Sequence, residues 1–409
     1  MTKVRIDRLG LHGDGIAPGP VYVARTLPSE VVEGVIDQDR IAAPRILMPS
    51  ADRVKAPCAQ YARCGGCALQ HARDDFVAEW KQGVVEQALR AQGIEARFRP
   101  VKTSPARSRR RVTFAGRRLK KGASIGFHTR ASDTVVDVPD CRVIAPELAA
   151  LREGLAGFVT VLGSRKAEVS FSATLSEAGV DLDIRGGKPL EPAMFPALTR
   201  LAHELDLARL SVEGDVQVTL RPPFQMFGTA QVIPPPGAFL QATREGEAAL
   251  AQAVVDAVGH AKRVADLFSG CGTFALPLAR QSEVHAVEGE AAMLEALDGG
   301  WRKAPGLARV THEVRDLFRR PLLPDDLRMF DAVVIDPPRA GAEAQTAELA
   351  KARPPVIAAV SCNPITFARD AKTLVNAGYT LDWVQVVDQF RWSPHVELAA
   401  RLSLAHIPN

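Results

Sequence analysis

Short apolar runs and turn residues alternate through the first 50 residues of the chain. The runs read KVRI, PVYVAR and EVVEGVI, and the segments HGDGIAPGP and TLPSE separate them. Strands of a few residues divided by Gly and Pro turns are typical of a small β-barrel. We therefore predict a separate β module over residues 1–50.

The next region combines one helix with β-type patterning. The segment FVAEWKQGVVEQALRAQG has the apolar spacing of an amphipathic helix and ends at Gly93. Residues 97 to about 235 are mostly β with one or two helices, and the prolines of VIPPPGAF mark a boundary. We predict a central, mostly β domain over residues 51–236.

From residue 237 onward, apolar strands alternate with helices. After the helix REGEAALAQAVVDAVGH come seven strands: RVADLFSG, EVHAVEG, ARVTHEVRD, FDAVVIDPP, PVIAAVSCNP, YTLDWVQVVD and LAARLSLAH. This alternation predicts a doubly wound, Rossmann-like α/β domain with a mainly parallel sheet over residues 237–409. In such sheets, ligands bind at the carboxyl ends of the strands.

The composition is that of a globular protein with two or three domains. Of 409 residues, 46% are hydrophobic and 24% are charged. The N-terminus has no apolar signal segment and no window is apolar enough to span a bilayer, so we expect a cytoplasmic monomer without membrane contact. Six cysteines in such a chain favour metal binding or catalysis over a disulfide framework.

Positive charge is concentrated in one block. The net charge is only +4, but residues 97–130 contain twelve Lys or Arg residues and no Asp or Glu. A solvated surface usually mixes both signs, so the block favours a surface that binds the phosphates of a nucleic acid. A disordered basic loop is the alternative, but the alternation in RVTFAG and SIGFHT indicates strands.

The first strand of the α/β domain ends in a glycine-rich turn, DLFSGCGTFALPLA. No Gly-Lys-Ser/Thr follows, and the third glycine of a dinucleotide fingerprint is missing. The first four strands end in acidic residues, namely Asp266, Glu288, Asp316 and Asp336. Carboxylates without a phosphate-binding lysine suit S-adenosylmethionine, which is cationic and lacks phosphate. Each carboxylate could instead cap a helix.

The fifth strand places Cys362, within AVSCNP, at the same edge of the sheet. A free cysteine is most often a buried packing residue, but this position favours a nucleophile. Methylation of C5 of a pyrimidine requires a thiolate that adds to C6, and then a base that removes the C5 proton. Glu397, 35 residues after Cys362, is our candidate base, and His395 is the alternative.

The motifs DLFSGCGTFALPLA, DPPRAGA, VSCNP and DQFRWSPHVE resemble, in order and spacing, the RNA 5-methyluridine methyltransferases that act on uracil in 23S ribosomal RNA and transfer RNA. The resemblance implies a class I methyltransferase domain, with Cys362 as nucleophile and Glu397 as base. It also implies that residues 1–50 are a TRAM domain, an OB-like RNA-binding barrel. The candidate cofactor residues are Gln241 (in FLQATREGE), Asp266, Phe268, Gly270, Glu288, Asp316 and Asp336.

A cysteine cluster is the second specific signal. The segment CAQYARCGGCALQH supplies Cys58, Cys64 and Cys67, and Cys141 is a fourth candidate ligand. Four thiolates suit either tetrahedral zinc or a [4Fe-4S] cluster, and the spacing does not separate the two. The resemblance to the 23S ribosomal branch implies a structural [4Fe-4S] cluster. We interpret Cys271, inside the glycine turn, as a packing residue.

The sequence thus predicts methyl transfer from S-adenosylmethionine to C5 of a specific uridine in 23S ribosomal RNA. A transfer-RNA enzyme with the same mechanism is the first alternative, and a non-catalytic RNA-binding ribosome-assembly protein is the second. Candidate aromatics for stacking on the target base are Phe224, Phe227 and Phe239. Two departures from the family pattern are Thr243, where Asn is common, and FRWS, where Phe-Pro-His-Thr is common.

Overall fold

Two small sheets with a shared apolar core form the N-terminal module. The structure is a computed structural model that describes residues 1–404. The strands are β1 Thr2–Arg5, β2 Arg8–Leu9, β3 Gly15–Ala17, β4 Val21–Val23, β5 Val31–Gly34, β6 Arg40–Ile41 and β7 Arg45–Met48. They pair in the orders β1-β5-β7 and β2-β3-β4-β6. Alternate residues point inward, so that Ile6, Val23, Val32 and Ile41 are almost fully buried together.

A seven-stranded sheet organises the central region, after helix α1 Asp74–Ala91 and strand β8 Phe98–Thr103. Its strands are β9 Arg111–Arg118, β10 Ala123–His128, β11 Val135–Val136, β12 Val169–Ser176, β13 Gly179–Arg185, β14 Arg209–Val212 and β15 Asp215–Thr219, in the order β11-β10-β9-β12-β13-β14-β15. Helices α2 Pro146–Leu162 and α3 Phe195–Glu204 contribute to its apolar core. Strands β16 Gln225–Phe227 and β17 Ala230–Val232 form a separate hairpin.

An eight-stranded sheet carries the C-terminal region, and all seven strands predicted there are present. They are β18 Arg263–Leu267, β19 Glu283–Glu288, β20 Val310–Val314, β21 Ala332–Ile335, β22 Val356–Ser361, β23 Tyr379–Asp388 and β24 Glu397–Leu404. The helices are α4 Arg244–Val258, α5 Ala275–Leu278, α6 Ala291–Lys303, α7 Pro324–Leu327, α8 Glu343–Ala352 and α9 Pro364–Asn376. Two large apolar cores flank the sheet, which confirms the α/β prediction.

The strand order is β20-β19-β18-β21-β22-β24-β23-β8. Strands β18 to β22 are parallel, whereas β24 runs antiparallel between β22 and β23. The chain leaves β18 toward β19 on one side and returns to β21 on the other, so the carboxyl end of β18 lies at a topological switch point. This edge of the sheet is therefore the expected ligand crevice.

The edge strand β8 departs from the predicted domain boundaries. It falls within residues 51–236 in sequence, yet it pairs in parallel with β23. Helix α1 packs beside it, and its Val85 and Leu89 share an apolar core with Val384 of β23. An earlier part of the chain thus covers β23 and forms the outermost strand of this sheet. Within residues 1–404, no helix is both long and apolar enough to span a membrane.

Candidate active site

The glycine turn that follows β18 lies at the switch point. Phe268, Gly270 and Gly272 all have positive φ, at 61°, 52° and 93°. A Cβ atom added to Gly270 would meet nothing within 4 Å, whereas one on Gly272 would lie 2.9 Å from the side chain of Leu297. Gly272 is therefore required for packing, and Gly270 leaves backbone open to a ligand.

Asp266 is fully buried at the end of β18. Within residues 1–404, neither of its carboxyl oxygens has a hydrogen-bond partner, although the N–H of Ala275 faces it. Burial, and then the charge of Asp336, raise its pKa well above the usual range. A buried charge without a partner is costly, so this environment favours the neutral form of the Asp266 carboxyl.

Glu288, the last residue of β19, links the first two strand ends. Its carboxylate accepts hydrogen bonds from the backbone N–H groups of Gly270 (3.0 Å), Gly289 (2.6 Å) and Glu290 (3.1 Å). The side chain thus holds the glycine turn in place at the rim of the crevice.

Asp316, which follows β20, is exposed and accepts hydrogen bonds from the N–H groups of Phe318 (3.0 Å) and Arg319 (3.3 Å). These contacts are those of a residue that caps its own turn. Phe318 places its ring 5.4 Å from that of Phe268, so an aromatic pair bridges the turns after β18 and β20.

Cys362 lies directly after β22, as the Asn-Pro signal predicted. Asn363 caps helix α9 by accepting a hydrogen bond from the N–H of Ile365 (3.1 Å), and it donates to the carbonyl oxygen of Arg339 (2.9 Å). These bonds fix the turn against the DPPR loop that carries Asp336. Cys362 is half-buried, and burial, followed by the charges of Glu397 and Asp336, raises its pKa to about 11.

Strand pairing brings Glu397 next to Cys362. Strands β22 and β24 pair antiparallel with Ser361 opposite Leu398, so one step along that register sets Cys362 opposite Glu397. Glu397 is 3% exposed, and burial together with the charge of Asp336 raises its pKa. A buried carboxyl group with a raised pKa, beside a thiol at a crevice, is suited to proton abstraction.

Gln241 reaches the same place from the loop before α4. The side-chain amide of Gln389 donates to Oε1 of Gln241 (2.6 Å) and to Oε2 of Glu397 (3.0 Å). The predicted cofactor segment and the predicted base are therefore connected through a single side chain.

His395, the alternative base, is exposed, and its ring meets that of Phe390 edge-on at 5.8 Å. Partial desolvation of the ring, followed by the nearby charges of Arg339, Lys81 and Arg109, lowers its pKa. The side chain lines the cavity of the cysteine cluster, whereas Glu397 stands opposite Cys362.

Comparisons with known proteins cover nearly the whole chain. Residues 303–404 match the family model described as tRNA (Uracil-5-)-methyltransferase. An uncharacterized RNA methyltransferase of Brucella suis biovar 1 is 44% identical over 404 residues, which cover 98% of this chain and 97% of that one. The 23S rRNA (uracil(1939)-C(5))-methyltransferase of Shewanella piezotolerans is 30% identical over 434 residues, with 98% and 95% covered. The chain belongs to the RNA uracil-C5 methyltransferase family.

The fold of the methyltransferase has also been observed before. The crystal structure of the Pyrococcus abyssi tRNA (uracil-54, C5)-methyltransferase, in complex with S-adenosyl-L-homocysteine, superimposes with a TM-score of 0.77. The two proteins are 24% identical, and the match covers 98% of this chain and 99% of the other. The arrangement of sheets described above is thus shared over the full length.

The four candidate ligand cysteines of the methyltransferase lie around one cavity of about 560 Å³. Cys58 and Cys141 are buried, Cys64 and Cys67 are half-buried, and all four are free thiols. Among residues 1–404, no three His, Cys, Asp or Glu side chains converge closely enough to hold a single metal ion. The four cysteines thus line a common cavity, and their role as ligands of one cluster stays a prediction.

Both departures from the family pattern have structural explanations. Thr243 caps helix α4, where its hydroxyl oxygen accepts a hydrogen bond from the N–H of Gly246 (2.9 Å) and lies 2.7 Å from that of Ser104. In FRWS, the indole of Trp392 donates to Asp74 at the start of α1 (3.0 Å), and Arg391 pairs with the same carboxylate. These residues attach the loop before Glu397 to helix α1.

The basic block is not a continuous surface of unpaired cations. Five of its twelve cations pair with carboxylates from other segments: Arg99 with Asp256, Arg107 with Asp140, Arg110 with Glu247, Arg117 with Glu168 and Arg130 with Asp14. Arg110 is buried and also donates to the carbonyl oxygen of Gln241 (3.2 Å). Much of the block therefore stabilises the fold and supports the cofactor segment.

The three candidate stacking aromatics occupy different environments. Phe227 is 2% exposed in the core beside the eight-stranded sheet, so it is a packing residue. Phe224 is half-buried. Phe239 is 62% exposed, two residues before Gln241, and the guanidinium of Arg111 lies 4.8 Å from its ring centre. Phe239 is the one of the three that is free to meet a base.

Sequence reasoning missed Lys81, Asp388 and Gln389. Lys81 is fully buried, and its ammonium donates to Asp388 (2.6 Å) and to the carbonyl oxygen of Phe390 (3.1 Å). One signal was available, because Lys81 falls on the buried stripe of α1, four residues after Val77. Asp388 and Gln389 could also have been identified, because they are the first two residues of the DQFRWSPHVE motif.

Proposed function

We propose that this protein transfers a methyl group from S-adenosylmethionine to C5 of a specific uridine in 23S ribosomal RNA, through a covalent adduct between cysteine and C6. The observation that carries the proposal is the placement of Cys362 opposite Glu397 at the switch-point edge of the sheet. A non-catalytic RNA-binding protein would need neither group there.

The chemistry follows from these two side chains. The thiolate of Cys362 adds to C6 of uracil, and the electron pair displaced from the C5–C6 bond makes C5 nucleophilic. C5 then attacks the methyl carbon of the donor, the carbon–sulfur bond breaks with its electron pair going to sulfur, and the donor leaves as the neutral thioether S-adenosylhomocysteine. Glu397 removes the remaining C5 proton, and the returning electron pair restores the double bond as the thiolate leaves.

The acidic residues around the glycine turn would hold the methyl donor, which supplies the electrophilic methyl group. The open backbone at Gly270, held by the carboxylate of Glu288, fits close approach of the donor. Glu288, at the end of the second strand, would bind the ribose, and Gln241 would contribute from the loop before α4. Asp336 would contact both the donor and the active site.

The four cysteines would hold a structural [4Fe-4S] cluster. A cluster of eight atoms is larger than one ion, so thiols arranged around a cavity favour it over zinc. Purified protein should then be brown, with four irons and four sulfides per chain. A colourless protein with one zinc ion per chain would refute this assignment.

The RNA target is assigned from the relatives. The Shewanella protein, 30% identical, is by its name a 23S rRNA enzyme, whereas the transfer-RNA enzyme of known structure is 24% identical. We further propose that the β module of residues 1–50, as a TRAM-like barrel, contacts the RNA.

The deciding experiment supplies the protein with S-adenosylmethionine and unmodified 23S ribosomal RNA or transfer RNA, and maps 5-methyluridine by mass spectrometry. We expect one ribosomal uridine to be modified by the parent and none by Cys362→Ala. Methylation of transfer RNA but not of ribosomal RNA would show that transfer RNA is the substrate. Full activity in Cys362→Ala would refute the nucleophile.

A further inference from the structure

Gln389 joins the two halves of the active site. The residue is 2% exposed and lies between β23 and β24, in contact with the cofactor segment on one side and with Glu397 on the other. The reaction scheme above assigns it no role.

The hydrogen bonds of Gln389 fix the orientation of its amide. Its Oε1 accepts from the backbone N–H of Ala242 (2.7 Å), so the amide nitrogen must face the other way. Both N–H groups of that nitrogen are then used, one by Gln241 and one by Glu397. A flipped amide would set two donors against each other at Ala242.

The surroundings leave Gln389 no freedom to move away. A Cβ added to Gly246, in the first turn of α4, would lie 2.6 Å from the Cβ of Gln389, so a glycine there makes room for this side chain. From the other side, the buried ammonium of Lys81 holds the preceding residue, Asp388.

We propose that Gln389 is a positioning residue that couples the methyl-donor site to the proton-abstracting carboxylate. It anchors one oxygen of Glu397 and leaves the other for the C5 proton, and its donated hydrogen bond favours the ionised form that can act as base. Since the same amide contacts Gln241, occupation of the donor site is transmitted to Glu397. This inference rests on the proposed function.

The test compares Gln389→Met, which keeps the side-chain length, with Gln385→Met. Gln385 is a matched control because it is also a buried glutamine, on the adjoining strand β23, and its amide donates to the carbonyl oxygen of Pro100 (3.1 Å), away from the active site. We expect Gln389→Met to lower kcat about 10- to 100-fold, the usual effect of one hydrogen bond to a charged group. The acidic limb of its pH–rate profile should move to higher pH, since the lost donor favoured the carboxylate.

A covalent-adduct assay separates this inference from the proposed function. Slow removal of the C5 proton should make Gln389→Met accumulate a methylated protein–RNA adduct on ordinary uridine RNA, whereas Gln385→Met should not. RNA with 5-fluorouridine has no C5 proton to lose, so the parent should form the adduct with it. Absence of that adduct in the parent refutes the covalent mechanism. Its presence, with equal kinetics and pH profiles in both glutamine variants, would overturn the role of Gln389.

Discussion

The buried ion pair between Lys81 and Asp388 supports the active site, and its removal has a calculable effect. Lys81→Met keeps the length of the side chain but removes its charge. Asp388, 1% exposed, then loses its cation and keeps a hydrogen bond from the N–H of Phe390 (3.1 Å). Because this carboxylate cannot reach water, its charge becomes a net cost to the folded state.

Loss of one partner of a buried pair typically costs about 3–5 kcal/mol of unfolding free energy. The hydrogen bond that remains at Asp388 places Lys81→Met at the lower end, about 3 kcal/mol. The double variant Lys81→Met with Asp388→Asn leaves no uncompensated charge. It should therefore regain about 1–2 kcal/mol relative to Lys81→Met.

Urea denaturation followed by tryptophan fluorescence measures this effect. Three of the four tryptophans, Trp80, Trp383 and Trp392, belong to α1, β23 and the loop before Glu397, so the signal reports the region concerned. A Lys81→Met protein within about 0.5 kcal/mol of the parent would refute the reasoning, because that is the range of ordinary surface substitutions. A double variant less stable than Lys81→Met would refute it equally.

Three further predictions concern the site itself. Glu397→Gln should lower kcat about 10²- to 10⁴-fold, yet raise the melting temperature at pH 8. The pKa of the buried Glu397 carboxyl is raised in the folded protein, so the free energy of unfolding falls as pH rises above 4.5, the pKa of this group in the unfolded chain. The parent and Glu397→Gln should therefore have the same melting temperature below pH 4.5. A difference in melting temperature that did not change with pH would contradict the assignment. Iodoacetamide should alkylate Cys362 slowly at pH 7 and faster toward pH 10, because the pKa of the thiol is raised. Glu397→Gln removes a neighbouring negative charge, so the dependence of the alkylation rate on pH should shift to lower pH. Mass spectrometry of the modified peptide measures both rates. Phe239→Ala should weaken RNA binding by about 1–3 kcal/mol without changing stability. Phe227→Ala should instead destabilise the fold by about 3–5 kcal/mol. Filter binding measures the first effect and thermal melting the second; a stability loss in Phe239→Ala with none in Phe227→Ala would contradict both assignments.

Local patterns were sufficient to predict the strands and the residues at their ends. The alternation of apolar strands with helices located all seven C-terminal strands, and the Asn-Pro turn located Cys362 at a rim. The neighbour relation between Cys362 and Glu397 depends on β24 inserting between β22 and β23, which no local pattern encodes. The chemistry of C5 methylation suggested Cys362 and Glu397, with His395 as the alternative base, and the family resemblance implied the same pair.

Long-range polar contacts account for most of what sequence reasoning missed. Lys81 and Asp388 are 307 positions apart, and the carboxylate that pairs with Arg110 is 137 positions away. Counting charges within residues 97–130 does not reveal carboxylates from other segments, so the sequence overestimated the number of unpaired cations in the basic block. Strand β8 was likewise assigned to the central region, because its pairing partner β23 lies far from it in the sequence.

The position of β8 has a consequence for how the chain reaches this structure. Strand β8 is synthesised long before β23, so this edge of the catalytic sheet cannot form until β23 has left the ribosome. A fragment that starts at residue 237 would expose the backbone of β23 and the apolar surface that α1 covers, which invites aggregation. The catalytic half is thus not an independent folding unit, and a nascent chain cannot acquire its active site before the last strands have been made.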